Sequence, residues 1–168
     1  KAASMIVAET SYELTDPTID SQIVKLKAAG ADLLYDASTP KFAAQAIKKN
    51  AEIGWKPQHY LNSVSASVGA VIVPAGPENA KDIITVQYLK DPTDPERKAD
   101  PAMRLYRTIM ARYAPDANVD DPLHVYGMAV AWTAVDALRK AGKNLTREAL
   151  LKVLDTFTAA ANPFLLPG

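Results

Sequence analysis

The stretch Asp82-Ile83-Ile84-Thr85-Val86-Gln87-Tyr88-Leu89-Lys90-Asp91-Pro92-Thr93-Asp94-Pro95 divides the chain into two kinds of sequence. Its first half is rich in β-branched and aromatic residues and predicts a strand from Ile83 to Leu89. Its second half is a loop dense in Asp and Pro, residues that punctuate regular structure. Upstream of it, strand and helix patterns alternate. Downstream, only helical patterns remain. A break of this kind inside one short chain predicts two structural layers joined by a crossover.

Reading back toward the N-terminus, Met5-Ile6-Val7-Ala8 is a short buried-strand candidate. Asp16-Pro17 predicts a helix start, with Asp as N-cap and Pro at the first helical position. Ile19, Ile23 and Leu26 come next at helical spacing, and Gly30 closes that helix. Leu33-Leu34-Tyr35 predicts a second buried strand. Thr39-Pro40 opens another helix, whose stripe is Phe42, Ala43, Ala46 and Ile47 and whose end is Gly54. His59-Tyr60-Leu61 predicts a third strand. This order implies parallel strands joined by right-handed crossovers. From Ser63 to Val73 the two signals conflict: Val68, Val71, Ile72 and Val73 favour a strand by propensity.

Beyond Asp91, Asp100-Pro101 opens a helix predicted to share Leu105, Tyr106, Ile109, Met110 and Tyr113 on one face. Asp121-Pro122 opens a longer one with Leu123, Tyr126, Val130, Ala134, Ala137 and Leu138, closed by Gly142. Thr146 starts a third, with Ala149 to Leu154. It lacks a capping box, since Glu148 sits one place too early. Asn162 to Gly168 reads as extended.

Composition narrows the function. The 168 residues are 48% apolar and 23% charged, ordinary for a soluble domain. Nineteen basic residues balance nineteen acidic ones, so no basic field exists to neutralise phosphates, and nucleic-acid binding is not expected. No apolar run approaches the roughly 20 residues that span a bilayer. The chain opens on Lys1-Ala2-Ala3-Ser4, which reads as the tail of a helix and not as a signal peptide. It has no cysteine, which excludes disulfides, thiol chemistry and Cys-based zinc sites. With only His59 and His124, a histidine-rich metal site is not expected either, and no cofactor is implied.

In open parallel sheets, ligands bind beyond the carboxyl ends of the strands. That rule selects Glu9 to Asp16, with Ser11 and Tyr12; Ala37-Ser38-Thr39; and Asn62-Ser63-Val64-Ser65. Ser38 and Thr39 lie at a helix start, where backbone N–H groups favour an anion such as a carboxylate. Tyr12 can stack on a ligand and donate a hydrogen bond. Each residue also has a purely structural reading: Thr39 as a plain N-cap, Ser38, Asn62 and Ser63 as turn residues, Tyr12 as a polar-loop side chain. Asp36 ends a strand as a phospho-accepting Asp does, but the acidic pair and Lys of a receiver domain are missing. No Gly-x-Ser-x-Gly elbow and no dinucleotide or phosphate-loop fingerprint is present.

Four collinear strings resemble the solute-binding proteins of branched-chain amino acid-type ABC importers. They are Ala8-Glu9-Thr10-Ser11-Tyr12-Glu13-Leu14-Thr15-Asp16-Pro17-Thr18, Thr39-Pro40-Lys41-Phe42-Ala43-Ala44-Gln45-Ala46, Gln87-Tyr88-Leu89-Lys90-Asp91-Pro92-Thr93-Asp94-Pro95 and Phe164-Leu165-Leu166-Pro167-Gly168. The resemblance implies an α/β fold: a parallel-sheet, three-layer lobe of a type I periplasmic binding protein, followed by helices that return to the other lobe. Residues 1–90 are then the α/β second lobe, and 91–168 the crossover and helical segment that packs on a first lobe absent from this sequence. It also implies a short helix within 63–73.

The same resemblance implies a non-enzymatic, periplasmic function. A small carboxylate (a branched-chain amino acid, an amide or an aromatic acid) binds between the lobes and passes to an ABC permease in the inner membrane. Tyr12, Ser38, Thr39, Asn62, Ser63, Val64 and His124 are the ligand-binding candidates. His124 sits near a helix N-terminus, where a surface or packing role is the other reading. The family's position for an acid that holds a ligand ammonium falls near Val64, which favours a carboxylate without an amine. The apolar helix faces in 101–155 are expected to pack on the 1–90 core, on a further segment or on another copy, so self-association is one use they could serve. Two other classes share this layer: a ligand-sensing lobe of a regulator or receptor, and an α/β enzyme.

Overall fold

Leu33–Asp36 (β1), Gln58–Leu61 (β2) and Ile84–Thr85 (β3) hydrogen-bond side by side, all parallel, in the order β1-β2-β3. This computed structural model describes residues 2–143, 145–158 and 162–167 and divides into two units, Lys1–Gln87 and Tyr88–Gly168. The sheet belongs to the first unit. Its register sets Leu34 opposite His59, Asp36 opposite Leu61, and Tyr60 opposite Ile84.

Strand alternation sorts these residues by face. Leu34, Asp36, His59 and Leu61 are buried, whereas Leu33, Tyr35, Gln58 and Tyr60 are exposed. The buried face lies under Asp20–Ala28 (α1) and Pro40–Glu52 (α2). Ile19, Ile23, Phe42, Ala46 and Trp55 pack around Leu34, and Ala43, Ile47, Val71 and Ala75 pack around Leu61. Full burial of each large aliphatic or aromatic side chain here contributes roughly 1.5–3 kcal/mol. Gly30 and Gly54 come after the two helices at φ +77° and +62°, a left-handed conformation that ends a helix cheaply only at glycine.

Several local expectations are corrected by the structure. Met5 to Ala8 forms no strand. Ala2–Met5 is a single 3-10 turn, and Met5, Ile6 and Val7 are exposed; among the described residues no strand pairs with them. The helix expected from Asp16-Pro17 begins at Asp20. The Asp16 carboxylate instead accepts the Glu13 N–H at 2.9 Å, closing a turn, although the Ile19/Ile23 stripe is buried as expected. Strand β1 is buried on one face only, with Tyr35 70% exposed. The fourth expected strand shrinks to Ile84–Thr85.

The valine-rich stretch is helical. Ser63–Ser65 is a 3-10 turn, Val68–Ile72 a π-helical turn and Val73–Ala75 (α3) one α-turn. The Ser67 hydroxyl accepts the Ala70 N–H at 3.1 Å and starts the π turn, which buries Val71 against α2. Packing thus overrides β propensity.

The second unit is built from Pro101–Tyr113 (α4), Pro122–Ala141 (α5) and Arg147–Leu154 (α6). Asp100 and Asp121 cap α4 and α5 with their side chains, each followed by Pro at the first position, as expected. Thr146 caps α6 through the Ala149 N–H. The core joins Leu89, Ala102, Met103, Tyr106, Met110, Val125, Ala129 and Phe164. Leu89 pairs antiparallel with Leu165, and the Lys90 N–H donates to the Phe164 carbonyl at 2.9 Å. The Tyr106 hydroxyl donates to Val119 O at 2.8 Å; burial first, then Asp121 and Asp120, push its pKa up to about 12.

The buried helix faces differ from the expected ones. On α4 the buried residues are Ala102, Met103, Tyr106 and Met110, while Leu105 and Tyr113 are exposed. On α5 they are Val125, Ala129 and Ala137, while Leu123, Tyr126, Val130 and Leu138 are exposed. Helix α5 is apolar nearly all round, so period alone could not select its buried stripe. Among the described residues no helix is long and apolar enough to cross a membrane.

Candidate functional site

The loops after β1 and β2 converge at the carboxyl ends of the strands, where the parallel topology puts them. Asp36 closes β1 with its carboxylate buried. One oxygen accepts both the Ser38 N–H at 3.0 Å and the Ser38 hydroxyl at 2.5 Å. The other lies 3.3 Å from His59 Nε2 on β2. An ionised carboxylate only accepts, so the ring nitrogen facing it carries the proton. Burial raises the Asp36 pKa, but the hydrogen bonds from His59 and Ser38 together outweigh it and hold the group below its ordinary value.

The next turn is tied to the same loop. The Ser38 carbonyl accepts the Asn62 side-chain amide at 2.9 Å and the Ser65 hydroxyl at 2.6 Å. The Asn62 carbonyl oxygen in turn caps the 63–65 turn through the Ser65 N–H at 3.1 Å. The Asn62 backbone N–H returns to the Asp36 carbonyl at 3.0 Å.

Tyr12 joins from the first loop. Its hydroxyl accepts the Thr39 N–H at 2.8 Å and stands 3.5 Å from the Thr39 hydroxyl, to which it donates. Its ring packs on Phe42, with centroids 4.4 Å apart. Thr39 is the N-cap residue of α2, but its side chain makes no capping bond. Its N–H is spent on Tyr12, and Pro40 has none, so the backbone anion site expected at this helix start is thinner than its position suggests.

The structure therefore brings Tyr12, Ser38, Thr39 and Asn62 into one network, with Ser63 and Val64 on the turn that Asn62 caps. Ser38 is buried, Tyr12, Thr39, Asn62 and Ser63 are half-buried, and Val64 is 59% exposed. His124 lies in the other unit, near the start of α5, with Nδ1 2.9 Å from the Asn118 carbonyl. Sequence reading missed His59, and it selected the loop that ends at Ser65 without naming Ser65 among the binding candidates. Period-2 burial of β2 would have put His59 beside Leu61 inside, but pairing with Asp36 depends on strand register, which the sequence does not show. Among the described residues no group of three or more His, Asp and Glu could hold a metal ion.

Chemically, the network offers hydroxyls, amides and an aromatic ring. Among its described residues the only carboxylate is Asp36, and its oxygens are occupied by Ser38 and His59.

The family model described as periplasmic binding protein matches residues 1–166. A solved structure, a branched chain amino acid ABC transporter from Thermus thermophilus with bound valine, has the same fold, with a TM-score of 0.71 at 19% identity. The match covers 94% of this chain and 41% of that one, so this chain spans less than half of that protein's length. No curated protein matches the sequence. With a model match over nearly all its residues and the parallel α/β lobe of the type I fold, the chain belongs to the periplasmic binding protein family.

Proposed function

We infer that the chain is the ligand-contacting part of an extracytoplasmic solute-binding component of an ABC importer. Its solute is a small carboxylate, and it works in the periplasm with an inner-membrane permease and without bond chemistry. On this reading 1–90 is the second lobe, 91–168 returns to the first, and closure is a hinge motion favoured by contacts made in the closed state.

The observation that carries the ligand class is the charge state of the network. Tyr12, Thr39, Asn62 and Ser63 supply neutral polar groups, Val64 supplies an apolar one, and the Asp36 carboxylate is already satisfied by Ser38 and His59. The Thr39 and Ser63 hydroxyls and the second Asn62 amide hydrogen, which the network leaves over, can donate to a carboxylate, whereas an ammonium finds no unoccupied acid in the network. An aromatic or aliphatic acid without an amine therefore fits better than a free amino acid, and the Tyr12 ring suits an aromatic one.

The test is a melting-shift screen of this chain with benzoates and cinnamates, branched-chain amino acids, and aliphatic amides. A ligand that binds only the folded state stabilises it by about 2.7 kcal/mol at a hundredfold excess over Kd. A larger shift with benzoate-type acids than with valine or leucine is expected. A shift with amino acids alone overturns the ligand class, and none with any member overturns the solute-binding reading for this chain. One lobe presents part of a cleft, so a Kd weaker than about 1 μM is expected.

A further inference from the structure

We propose that the buried Asp36–His59 pair is the positioning device of the ligand site, setting the Ser38–Thr39 and Asn62–Ser65 turns in the geometry that meets the solute. The proposal rests on the solute-binding reading, and it adds two residues that touch no solute themselves. Asp36 and His59 are diagonal neighbours on one face of the β1–β2 ladder, 7% and 6% exposed. A hydrogen-bonded charge at that depth is costly unless every lone pair is used. Here one oxygen holds both donors of Ser38 and the other holds the imidazole.

That arrangement orients the turns on either side of it. With its N–H and hydroxyl both turned onto Asp36, Ser38 directs its carbonyl to Asn62 and Ser65. The Asn62 side chain then caps the 63–65 turn that carries Ser63 and Val64. Thr39 leads directly into α2 and holds Tyr12. The turns that bear the binding candidates thus share one buried anchor. A packing residue alone would need no donor at position 59, and leucine would fill that volume as well.

The experiment compares the unchanged 168-residue chain with His59→Gln and His59→Leu. The glutamine amide can still donate to Asp36, and the leucine cannot. Two quantities are read: the pH titration of the Ser38 amide proton by 15N-correlated NMR, and the Kd for benzoate and L-valine by calorimetry. In the unchanged chain the Ser38 amide should track a single carboxylate titration below the ordinary Asp value. His59→Leu should move that midpoint upward and weaken the probe that binds by about tenfold or more. His59→Gln should retain most of both.

Equal losses in the two variants, or a Ser38 midpoint unmoved by leucine, would overturn the proposal. If neither probe binds the unchanged chain, the solute-binding reading fails, and the Ser38 midpoint still decides whether the pair governs the turn. Should the leucine variant not fold, the unchanged chain suffices. There the His59 ring nitrogen signals must show a step at the midpoint of the Ser38 amide, and the absence of any step there contradicts the coupling.

Discussion

The Tyr12 hydroxyl accepts the Thr39 backbone N–H at 2.8 Å, joining two positions 27 residues apart at the start of α2. Without Tyr12 that N–H loses its partner in a half-buried place. Tyr12→Phe keeps the ring on Phe42 and removes only the oxygen. It should cost about 1–2 kcal/mol in urea unfolding. Tyr12→Ala removes the ring contact as well and should cost more. Equal midpoints for unchanged and Tyr12→Phe chains would show that the bond contributes nothing to stability.

Acid should unfold the chain through specific carboxylates. At Asp100, burial raises the pKa, but Lys90 and the Met103 and Ala102 N–H groups outweigh it, leaving a lowered value as at Asp36. A carboxyl lowered by folding binds fewer protons in the native state than in the unfolded one. Stability therefore rises with pH through this window: the contribution is whole above the unfolded value of about 3.9 and is lost as pH falls through the folded value. Asp36→Asn should flatten the acid limb of a stability–pH curve. Asp100→Asn keeps a good N-cap and loses the Lys90 pair, 2.7 Å long and partly exposed, so it should cost less than Asp100→Ala.

Asn162 ties the tail of the second unit to α5. Its side-chain amide donates to the Ala129 carbonyl and the Thr133 hydroxyl, both at 2.9 Å, and its carbonyl oxygen accepts the Phe164 N–H at 3.0 Å. It is 8% exposed, so Asn162→Ala strands buried groups on both partners. A loss of about 2–3 kcal/mol is expected by chemical denaturation. An effect below about 0.5 kcal/mol would mean that water replaces the amide freely.

Leu123, Tyr126, Val130 and Leu138 leave an apolar face of α5 exposed. Contiguous apolar surface of this kind favours association. Sedimentation velocity should show concentration-dependent self-association of the isolated chain, reduced by Val130→Lys with Leu138→Lys. A monomer at every concentration would contradict this expectation.

Local chemistry made much of this fold legible. Thr39-Pro40, Asp100-Pro101 and Asp121-Pro122 each open a helix because Pro at the first position gives up an N–H that the helix would not use. Asp16-Pro17 carries the same signal, yet Asp16 spends its carboxylate on Glu13, a competition that only the three-dimensional turn reveals. The loops bearing Ser38, Thr39 and Asn62 are placed by the parallel strand order, whereas the Tyr12 loop follows no strand, since Met5 to Ala8 forms none, and reaches the site through its bond to Thr39. The anchor is not placed by that order, because Asp36 and His59 meet through the register of β1 with β2 and stand 23 residues apart. The buried stripe of α5 was hidden for another reason: apolar residues on several sides leave periodicity without a preferred face.

The most direct test of a solute site at the carboxyl ends of the strands is residue-level mapping of a benzoate titration on the 15N-labelled chain. Amide shifts should concentrate at Tyr12, Ser38, Thr39, Asn62, Ser63 and Val64 and saturate together with one Kd. Saturable shifts elsewhere in the chain, with these six unmoved, would contradict a site in that place.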